Sequence, residues 1–350
     1  MNPFPEALWP MLWAGLASAL CVRALILPAR RFGCLDHPGG RKRHENPTPL
    51  VGGVAVFLAF TLVSSLFGGL PGDSLSLVAA LCVTVVFGLA DDLNRFGHHA
   101  KFTGQLVAAL IIVSGTSTHV FVFGDLLGTG DLVLGKWAYL VTVICLIGLM
   151  NAINMIDGLD GLAGTQAILS LSLFAAVALM TGDMTTGTEI LTLIGAISGF
   201  LAFNLRHPWQ PRARAFMGDV GGLLLGLLLG WYAIRLAGTN AAPLRPITAV
   251  WFIALPLLDM GSVMLLRLLR GYSPFHADRL HLHYLLRDAG WSTSQIVMTL
   301  LTLAACLGGL GLLGERMAVP EYVMFYAFIG LWMLYLAGLA RAKRPQPVSP

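Results

Sequence analysis

Residues 138–181 read AYLVTVICLIGLM, NAINMIDGLDGL and AGTQAILSLSLFAAVALMT, two apolar runs joined by a polar segment. Each run, extended by the adjoining part of the polar segment, is long enough to cross a bilayer as a helix, which takes about 20 residues. The polar segment holds two amides and two carboxylates, which are costly in contact with lipid. We therefore predict two spanning helices with a break at Gly158 and Gly161 that turns these groups toward a shared ligand.

The whole chain is apolar. Of its 350 residues, 56% are hydrophobic and only 11% are charged, whereas soluble domains carry roughly 25% charged residues. Apolar stretches occur at 7–28, 51–70, 75–91, 102–122, 138–156, 162–181, 189–205, 217–236, 247–266, 295–313 and 321–340. The sequence thus predicts an all-α polytopic membrane protein with about eleven transmembrane helices. We expect a single transmembrane domain over 1–340 and a tail over 341–350.

The basic residues are unevenly distributed between the two sets of loops. If the N-terminus lies outside, most of the 22 lysines and arginines fall in loops on the inner side or in the tail. Because cytoplasmic loops are enriched in these residues, we expect a periplasmic N-terminus and a cytoplasmic C-terminus. Nearly every unusual polar residue then lies in one of the cytoplasmic loops, which are 29–50, 91–101, 157–165, 206–219 and 267–294.

Two adjacent carboxylates, Asp91 and Asp92, end the third predicted span. Negative charge at a helix C-terminus opposes the helix dipole, so the pair needs a compensating cation. Neighbouring side chains on a helix point about 100° apart, so the two cannot both face one ion squarely. One could contact Mg²⁺ or a phosphate while the other acts as a base or orients a lysine. A solvated helix end is the alternative without a function.

The polar segment of the opening stretch is the densest signal in the chain. Asn151, Asn154, Asp157 and Asp160 recur at every third residue. On one continuous helix each step would drift by about 60°, so the four would not share a face. A helix break would let both carboxylates reach one ligand; a hydrogen-bonded helix junction is the alternative. An EF-hand calcium-binding loop is excluded, because it needs more acidic residues and a closing glutamate.

A second acidic motif, Phe216-Met-Gly-Asp219, opens the eighth predicted span. A carboxylate is stable at a helix N-terminus, so Asp219 could be only a helix cap. However, glycines at 218, 221 and 222 indicate that something approaches the backbone closely, and Phe216 could stack on a flat ring. Carboxylates suit Mg²⁺, and Mg²⁺ suits substrate phosphates. We therefore predict Asp219 as the first metal ligand.

Three further features concern the inner loops and the ninth span. His281 and His283 lack the spacing of helical zinc ligands, so hydrogen bonding to a diphosphate or sugar is favoured over zinc or a solvated loop. The basic run Arg41-Lys-Arg-His44 could be a topology signal, attract anionic lipid headgroups or hold a nucleotide phosphate. Asp259, inside the ninth span, predicts an interhelical hydrogen bond.

Taken in order, these motifs resemble those of the polyprenyl-phosphate hexosamine-1-phosphate transferases, over nearly the whole chain. The family also includes the phospho-N-acetylmuramoyl-pentapeptide transferases. The basic run, together with 49–53, 273–275 and 278–279, looks most like the undecaprenyl-phosphate N-acetylglucosamine-1-phosphate transferase branch. The resemblance implies eleven spans with an outer N-terminus, in a bacterial inner membrane, with the active site facing the cytoplasm.

The resemblance implies a reaction: a sugar 1-phosphate passes from a UDP-N-acetylhexosamine, first of all UDP-N-acetylglucosamine, to undecaprenyl phosphate, and UMP is released. This would be the first membrane step of a cell-envelope polysaccharide pathway, with Mg²⁺ as cofactor and Mn²⁺ able to substitute. The expected partners are these two substrates and the lipid bilayer, with no nucleic acid; a homodimer is compatible with the sequence.

Two departures from the branch concern the loop expected to contact the sugar. Tyr284 stands where the branch usually has histidine, and His276-Ala277 replaces its usual Ser-Pro. UDP-N-acetylfucosamine or UDP-N-acetylgalactosamine is therefore an alternative donor. A membrane transporter is the alternative of another class, disfavoured because the polar groups collect at one face and not at the midplane.

The resemblance also implies roles for individual residues. Asp219 would bind the metal, Asp92 would support the metal or a nearby cation, and Asp91 would assist or deprotonate the lipid phosphate. Thirteen further residues would contact the nucleotide, the sugar or the phosphates: Arg95, Lys101, Asn154, Asp157, Asp160, Asn204, Phe216, Asp278, Arg279, His281, His283, Lys42 and His44.

Overall fold

The computed structural model describes residues 4–37, 46–67, 74–93, 98–239, 241–276 and 278–342. Three of the predicted site residues, Lys42, His44 and Arg95, lie outside these ranges. The helices are α1 Phe4–Phe32, α2 Gly52–Leu66, α3 Ser74–Asp92, α4 His98–Gly115, α5 Ala138–Ile156, α6 Leu162–Met180, α7 Met184–Asn204, α8 Gly218–Ala237, α9 Pro246–Phe252, α10 Ala254–Leu269, α11 Leu282–Asp288, α12 Thr293–Arg316 and α13 Glu321–Arg341. Two short antiparallel strands, β1 Leu35–Asp36 and β2 Thr48–Pro49, follow α1.

Each predicted apolar stretch contains one helix or, in one case, a pair of helices. Eight helices of the described chain are long and apolar enough to cross a membrane: α1, α3, α5, α6, α7, α8, α12 and α13. The bent pair α9 and α10 makes a ninth if it forms one broken span. The other two predicted stretches contain α2, which is shorter, and α4, which begins with polar residues, while the short helix α11 lies outside the predicted stretches. The all-α membrane architecture is confirmed, while the count of eleven, the orientation and the division at residue 340 stay predictions.

The ninth predicted span is broken, which the hydropathy pattern did not indicate. Its two halves, α9 and α10, meet at an angle of 82°. Pro256 has no N–H to donate to the carbonyl of Phe252, one turn earlier. The hydroxyl of Ser170 on α6 donates to that carbonyl instead, at 2.8 Å. The bend is therefore tolerated inside the bundle, because a neighbouring helix satisfies the freed backbone group.

Helix α8 forms the centre of the bundle. Every residue from 220 to 234 is buried, and glycines let its neighbours approach closely. A Cβ built on Gly53 of α2 would lie 2.3 Å from the backbone nitrogen of Gly221, and one on Gly226 would lie 2.4 Å from the Cα of Met150 on α5. Small residues at such contacts let helix backbones touch. They fix the relative heights of α2, α5 and α8, whose ends carry the predicted site.

The five loops predicted to share one side of the membrane meet at one end of the bundle. Phe216 N–H donates to Pro49 O at 2.8 Å, which joins the first of these loops to the fourth. The other three are joined by Lys101, by the ion pair of Asp160 with Arg206, and by His283 beside Gly158. This grouping is the one that the sequence predicted.

Candidate active site

The ammonium of Lys101, at the start of α4, joins three other helices. Its Nζ lies 2.7 Å from Asp219 Oδ1 on α8, 3.1 Å from Asp91 Oδ2 on α3 and 3.1 Å from Asn154 Oδ1 on α5. Lys101 is thus the cation that the acidic pair at the end of α3 requires. One ammonium faces two acidic side chains here, and carboxyl oxygens are ligands that suit a divalent cation.

The second residue of the acidic pair, Asp92, has a different set of contacts. Its Oδ1 accepts the backbone N–H of Asp219 at 2.8 Å, and its Oδ2 accepts that of Val220 at 3.4 Å. Gly218 permits this contact: its φ is +74°, and a Cβ there would lie 2.5 Å from Asp92 Oδ2. Asp92 therefore satisfies the N-terminus of α8 and sets the position of Asp219. Its predicted support of a metal would have to use its remaining lone pairs.

The predicted helix break is present between α5 and α6. Helix α5 ends at Ile156, α6 begins at Leu162, and Gly161 has a φ of +84°. Gly161 N–H donates to Asn204 Oδ1 at 2.7 Å, and Asn204 Nδ2 donates to Ala215 O at 2.9 Å. Buried Asn204 thus holds the 157–161 junction to the segment that precedes α8.

The two carboxylates of the junction differ in their contacts. Asp160 Oδ2 accepts from Arg206 Nε at 2.6 Å. Asp157 is half-buried and has no hydrogen bond or ion pair with the described residues. Burial raises the pKa of Asp157 to about 7, with further contributions from the negative charges of Asp219 and Asp160. Asp157 is therefore a carboxylate that remains available to a ligand.

The donor set fits Mg²⁺ only when a substrate completes it. Among the described residues, no three His, Cys, Asp or Glu side chains converge on one point. Mg²⁺ does not need such a cage, because proteins usually bind it through one or two carboxylates together with waters and substrate phosphates. Asp219, with 33% of its side chain exposed, and the unpaired Asp157 are the two carboxylates that fit this role.

The two predicted histidines are both buried but differ in their hydrogen-bond partners. His281 Nδ1 lies 2.6 Å from Asp259 Oδ2, so this side chain has a protein partner. His283 is buried with no hydrogen bond at Nε2, and a Cβ on Gly158 would lie 2.2 Å from that nitrogen. Burial lowers the pKa of His283 to about 3. Neutral His283 therefore faces the 157–160 junction, while His281 is turned into the protein.

The charged residues of the same segment are paired within the protein. Asp278 accepts two hydrogen bonds from Arg267, at 2.8 and 2.9 Å. Burial would raise the pKa of Asp278, but the hydrogen bonds from Arg267 and Leu280 bring it below its ordinary value. Arg279 pairs with Asp288 and lies over the ring of Tyr284. Substrate contacts by Asp278, Arg279 and His281 stay predictions.

Phe216 contributes to the site through its backbone. Its N–H donates to Pro49 O at 2.8 Å, and its half-buried side chain leaves the predicted stacking on a ring untested. The sequence predicted no role for Arg206 or Arg267, the partners of Asp160 and Asp278. Their only signal was a basic residue near an acidic motif, which does not specify a pairing.

Comparison with known proteins identifies the family of this chain. Residues 74–237, from α3 to α8, match the sequence model described as glycosyl transferase family 4. The chain is 33% identical to the undecaprenyl-phosphate alpha-N-acetylglucosaminyl 1-phosphate transferase of Haemophilus influenzae, over 90% of this chain and 89% of the relative. For proteins of the same name, identity is 34% in Pasteurella multocida and 33% in Escherichia coli K12, over 90% of this chain and 88% and 86% of the relatives. The chain belongs to glycosyl transferase family 4.

Proposed function

We propose that this protein transfers N-acetylglucosamine 1-phosphate from its UDP derivative to undecaprenyl phosphate and releases UMP. The names of relatives that align with 90% of the chain support this acceptor and this sugar phosphate. The observation that carries the proposal is the cluster of Lys101, Asp91, Asp219 and Asn154, with the unpaired Asp157 nearby. It combines a cation with available carboxylates at one end of a membrane bundle, as a reaction between two phosphates requires.

The reaction joins two anions. A lone pair on an oxygen of the lipid phosphate attacks the β-phosphorus of the UDP-sugar. The bond from the β-phosphorus to the bridging oxygen breaks, and UMP leaves with that oxygen and its electron pair. No group is oxidised or reduced, so the protein must supply mainly orientation and charge neutralisation.

The residues of the cluster can divide these tasks. Lys101 is held from two sides by Asp91 and Asp219 and offers a positive charge to a phosphate oxygen. Asn154 Nδ2 donates to Asp219 Oδ1 at 2.8 Å and so fixes the orientation of that carboxylate. Asp91 is placed to take a proton from the lipid phosphate, and Asp92 sets the height of α8. His283 and the 157–160 junction would contact the donor.

We further propose Mg²⁺, which Mn²⁺ could replace, as the cofactor, held by Asp219 and Asp157 with support from Asp92. When bound, the ion would draw charge from the diphosphate and orient it for in-line displacement. We also propose that the protein lies in the bacterial inner membrane with its site facing the cytoplasm. The excess of lysine and arginine in the loops at the site end supports this orientation.

The test is a UMP-release assay on the purified, detergent-solubilised protein. It uses undecaprenyl phosphate with UDP-N-acetylglucosamine, UDP-N-acetylgalactosamine or UDP-N-acetylfucosamine, with Mg²⁺ or with EDTA. We expect release that requires both the lipid and the metal and is fastest with UDP-N-acetylglucosamine. Faster release from another donor would correct the sugar alone. No release from any donor would overturn the proposed function.

A further inference from the structure

We propose that Asp259 of α10 and Tyr335 of α13 are positioning residues. They fix His281, and through it they hold the segment 278–288 so that His283 faces the 157–160 junction. The expected effect on rate rests on the proposed function, whereas the contacts themselves can be tested without any activity.

The carboxylate of Asp259 is buried inside the bundle and accepts three hydrogen bonds. Only 3% of its surface is exposed. Oδ2 lies 2.6 Å from His281 Nδ1, while Oδ1 accepts from Leu282 N–H at 3.1 Å and from the hydroxyl of Tyr335 at 2.8 Å. A buried charge is costly unless donors surround it, so these groups are held together. Asp259 thus makes the expected interhelical bond, to α13, and also ties the histidine segment to it.

Both ring nitrogens of His281 face protein groups. Nδ1 bonds to Asp259, which makes Nδ1 the protonated nitrogen, and Nε2 lies 3.5 Å from Nη2 of Arg267. The ring is only 4% exposed. A carboxylate on one nitrogen fixes the tautomer and the ring orientation of a histidine. His281 can therefore act on the site through its neighbours.

Helix α10 holds the segment at a second point, two turns from Asp259. Arg267, 4% exposed, binds both oxygens of Asp278 and donates to Pro274 O at 2.7 Å. A small apolar cluster lies between the two points and involves both α10 and α13: Val263, Leu266, Leu280 and Leu339. The apolar cluster holds the segment against the helices, and the polar bonds on either side specify its register.

The position of His281 sets that of His283. The two rings stack with centroids 5.6 Å apart and planes 15° apart. His283 in turn is in close contact with Gly158, between the acids of the junction. A displacement of His281 therefore moves the group that faces the proposed donor site, and small misplacements of such groups reduce rates strongly.

The kinetic test compares three single variants. Asp259→Asn keeps the shape and removes the charge, Tyr335→Phe removes one hydroxyl, and Tyr326→Phe is the matched control, since Tyr326 is 54% exposed on the same helix. We expect kcat/KM for the UDP-sugar to fall about 10- to 100-fold in Asp259→Asn, by comparison with the loss of partners that orient metal-ligating histidines. Tyr335→Phe should lose about 3- to 10-fold, because it removes one of the three bonds. Tyr326→Phe should match the native protein.

The second readout needs no turnover. In ¹⁵N-histidine NMR spectra of the solubilised protein, the Nδ1–H signal that disappears in His281→Gln belongs to His281. We expect this signal to shift in Asp259→Asn and in Tyr335→Phe but not in Tyr326→Phe. If the native protein released no UMP, the proposed function would fail, but the NMR shift would still show whether the contacts of His281 are present.

The positioning role is overturned if Asp259→Asn and Tyr335→Phe both match Tyr326→Phe in rate, even if the NMR signal moves. If Asp259→Asn does not fold, Tyr335→Phe alone decides.

Discussion

Lys101 Nζ lies 2.7 Å from Asp219 Oδ1, although 118 positions separate the two residues in the chain. The contact joins the start of α4 to the start of α8. It brings a cation to a carboxylate that is also fixed by Asn154 and, through its backbone N–H, by Asp92. A phosphoryl-transfer site needs a cation beside its carboxylates, and this contact provides it.

Replacement of the ammonium should abolish most of the activity. In Lys101→Met, Asp91 and Asp219 lose their shared cation and the phosphates lose a positive partner. We expect transfer to fall by about 100-fold or more, as when a charge-stabilising group is removed from an active site. UMP release measures the effect. Lys136→Met, an exposed lysine at the other end of the bundle, is the control, and equal rates in the two variants would contradict the role of Lys101.

The acids should be needed for chemistry and not for insertion. We expect Asp219→Ala and Asp91→Asn to lose transfer while remaining folded in the membrane, because the core around α8 is apolar and does not depend on them. Asp131→Asn, exposed outside the cluster, should retain native activity. UMP release and gel filtration in detergent measure the two properties. Near-normal metal-dependent release by both cluster variants would remove these residues from the site.

Gly218 should be needed for the contact between the end of α3 and the start of α8. Gly218→Ala places a Cβ against Asp92 Oδ2 at a φ of +74°, so we expect a loss of about 1–3 kcal/mol of stability, together with loss of transfer. Gly309→Ala is the matched control, since nothing lies within 4 Å of a Cβ there and alanine favours a helix. Thermal unfolding in detergent gives the comparison. Equal unfolding temperatures would show that α8 can shift to accommodate the methyl group.

Local signals in the sequence predicted the helices and the positions of the polar motifs. Asp91-Asp92 ends α3, the 157–161 segment breaks a helix, and Gly218 begins α8, as expected from hydropathy, glycine content and charge at helix ends. These features depend on residues close together in the chain, so a single sequence reveals them.

Features that depend on packing between distant elements were not predictable in this way. Lys101 was expected to contact a phosphate, but its three protein partners come from three other helices. The break before Pro256 requires Ser170 to approach Phe252, and a hydropathy profile contains no information about contacts between distant residues. Likewise, nothing in the sequence indicates that Asp259 selects His281 and Tyr335, because that choice follows from the placement of α10, α13 and the histidine segment.

The buried His283 should make the protein sensitive to acid. Its folded pKa is about 3, below the ordinary value of 6.5, so between these values the unfolded chain binds more protons than the folded chain. Its contribution to stability is therefore complete above pH 6.5 and is lost as the pH falls through this window. We expect a lower unfolding temperature at pH 5 than at pH 7.5, and a smaller difference in His283→Gln. His276 is an exposed histidine, so His276→Gln should keep the native difference in unfolding temperature between the two pH values. An equally reduced difference in both variants would show that His283 is not the cause of the acid sensitivity.

The orientation can be tested with cysteines at the two ends of the bundle. Native Cys34 is a poor reporter, because it is buried and burial raises the pKa of its thiol to about 11, with the charge of Asp92 adding to this. Trp209, 85% exposed at the site end, and Leu127, 49% exposed at the other end, are better positions. We expect an impermeant thiol reagent to label Leu127→Cys in intact cells, and Trp209→Cys only after permeabilisation. The reverse pattern would invert the proposed topology.

The proposed transfer can be followed through the β-phosphorus of the donor. The purified protein is incubated with UDP-N-acetylglucosamine labelled with ³²P at the β-phosphate, undecaprenyl phosphate and Mg²⁺, with Asp219→Ala in parallel. We predict that the label passes into the lipid extract while unlabelled UMP is released, and that the variant transfers none. Label that remains in the aqueous phase as UDP or as the intact donor would contradict the proposed reaction, as would equal transfer by the variant.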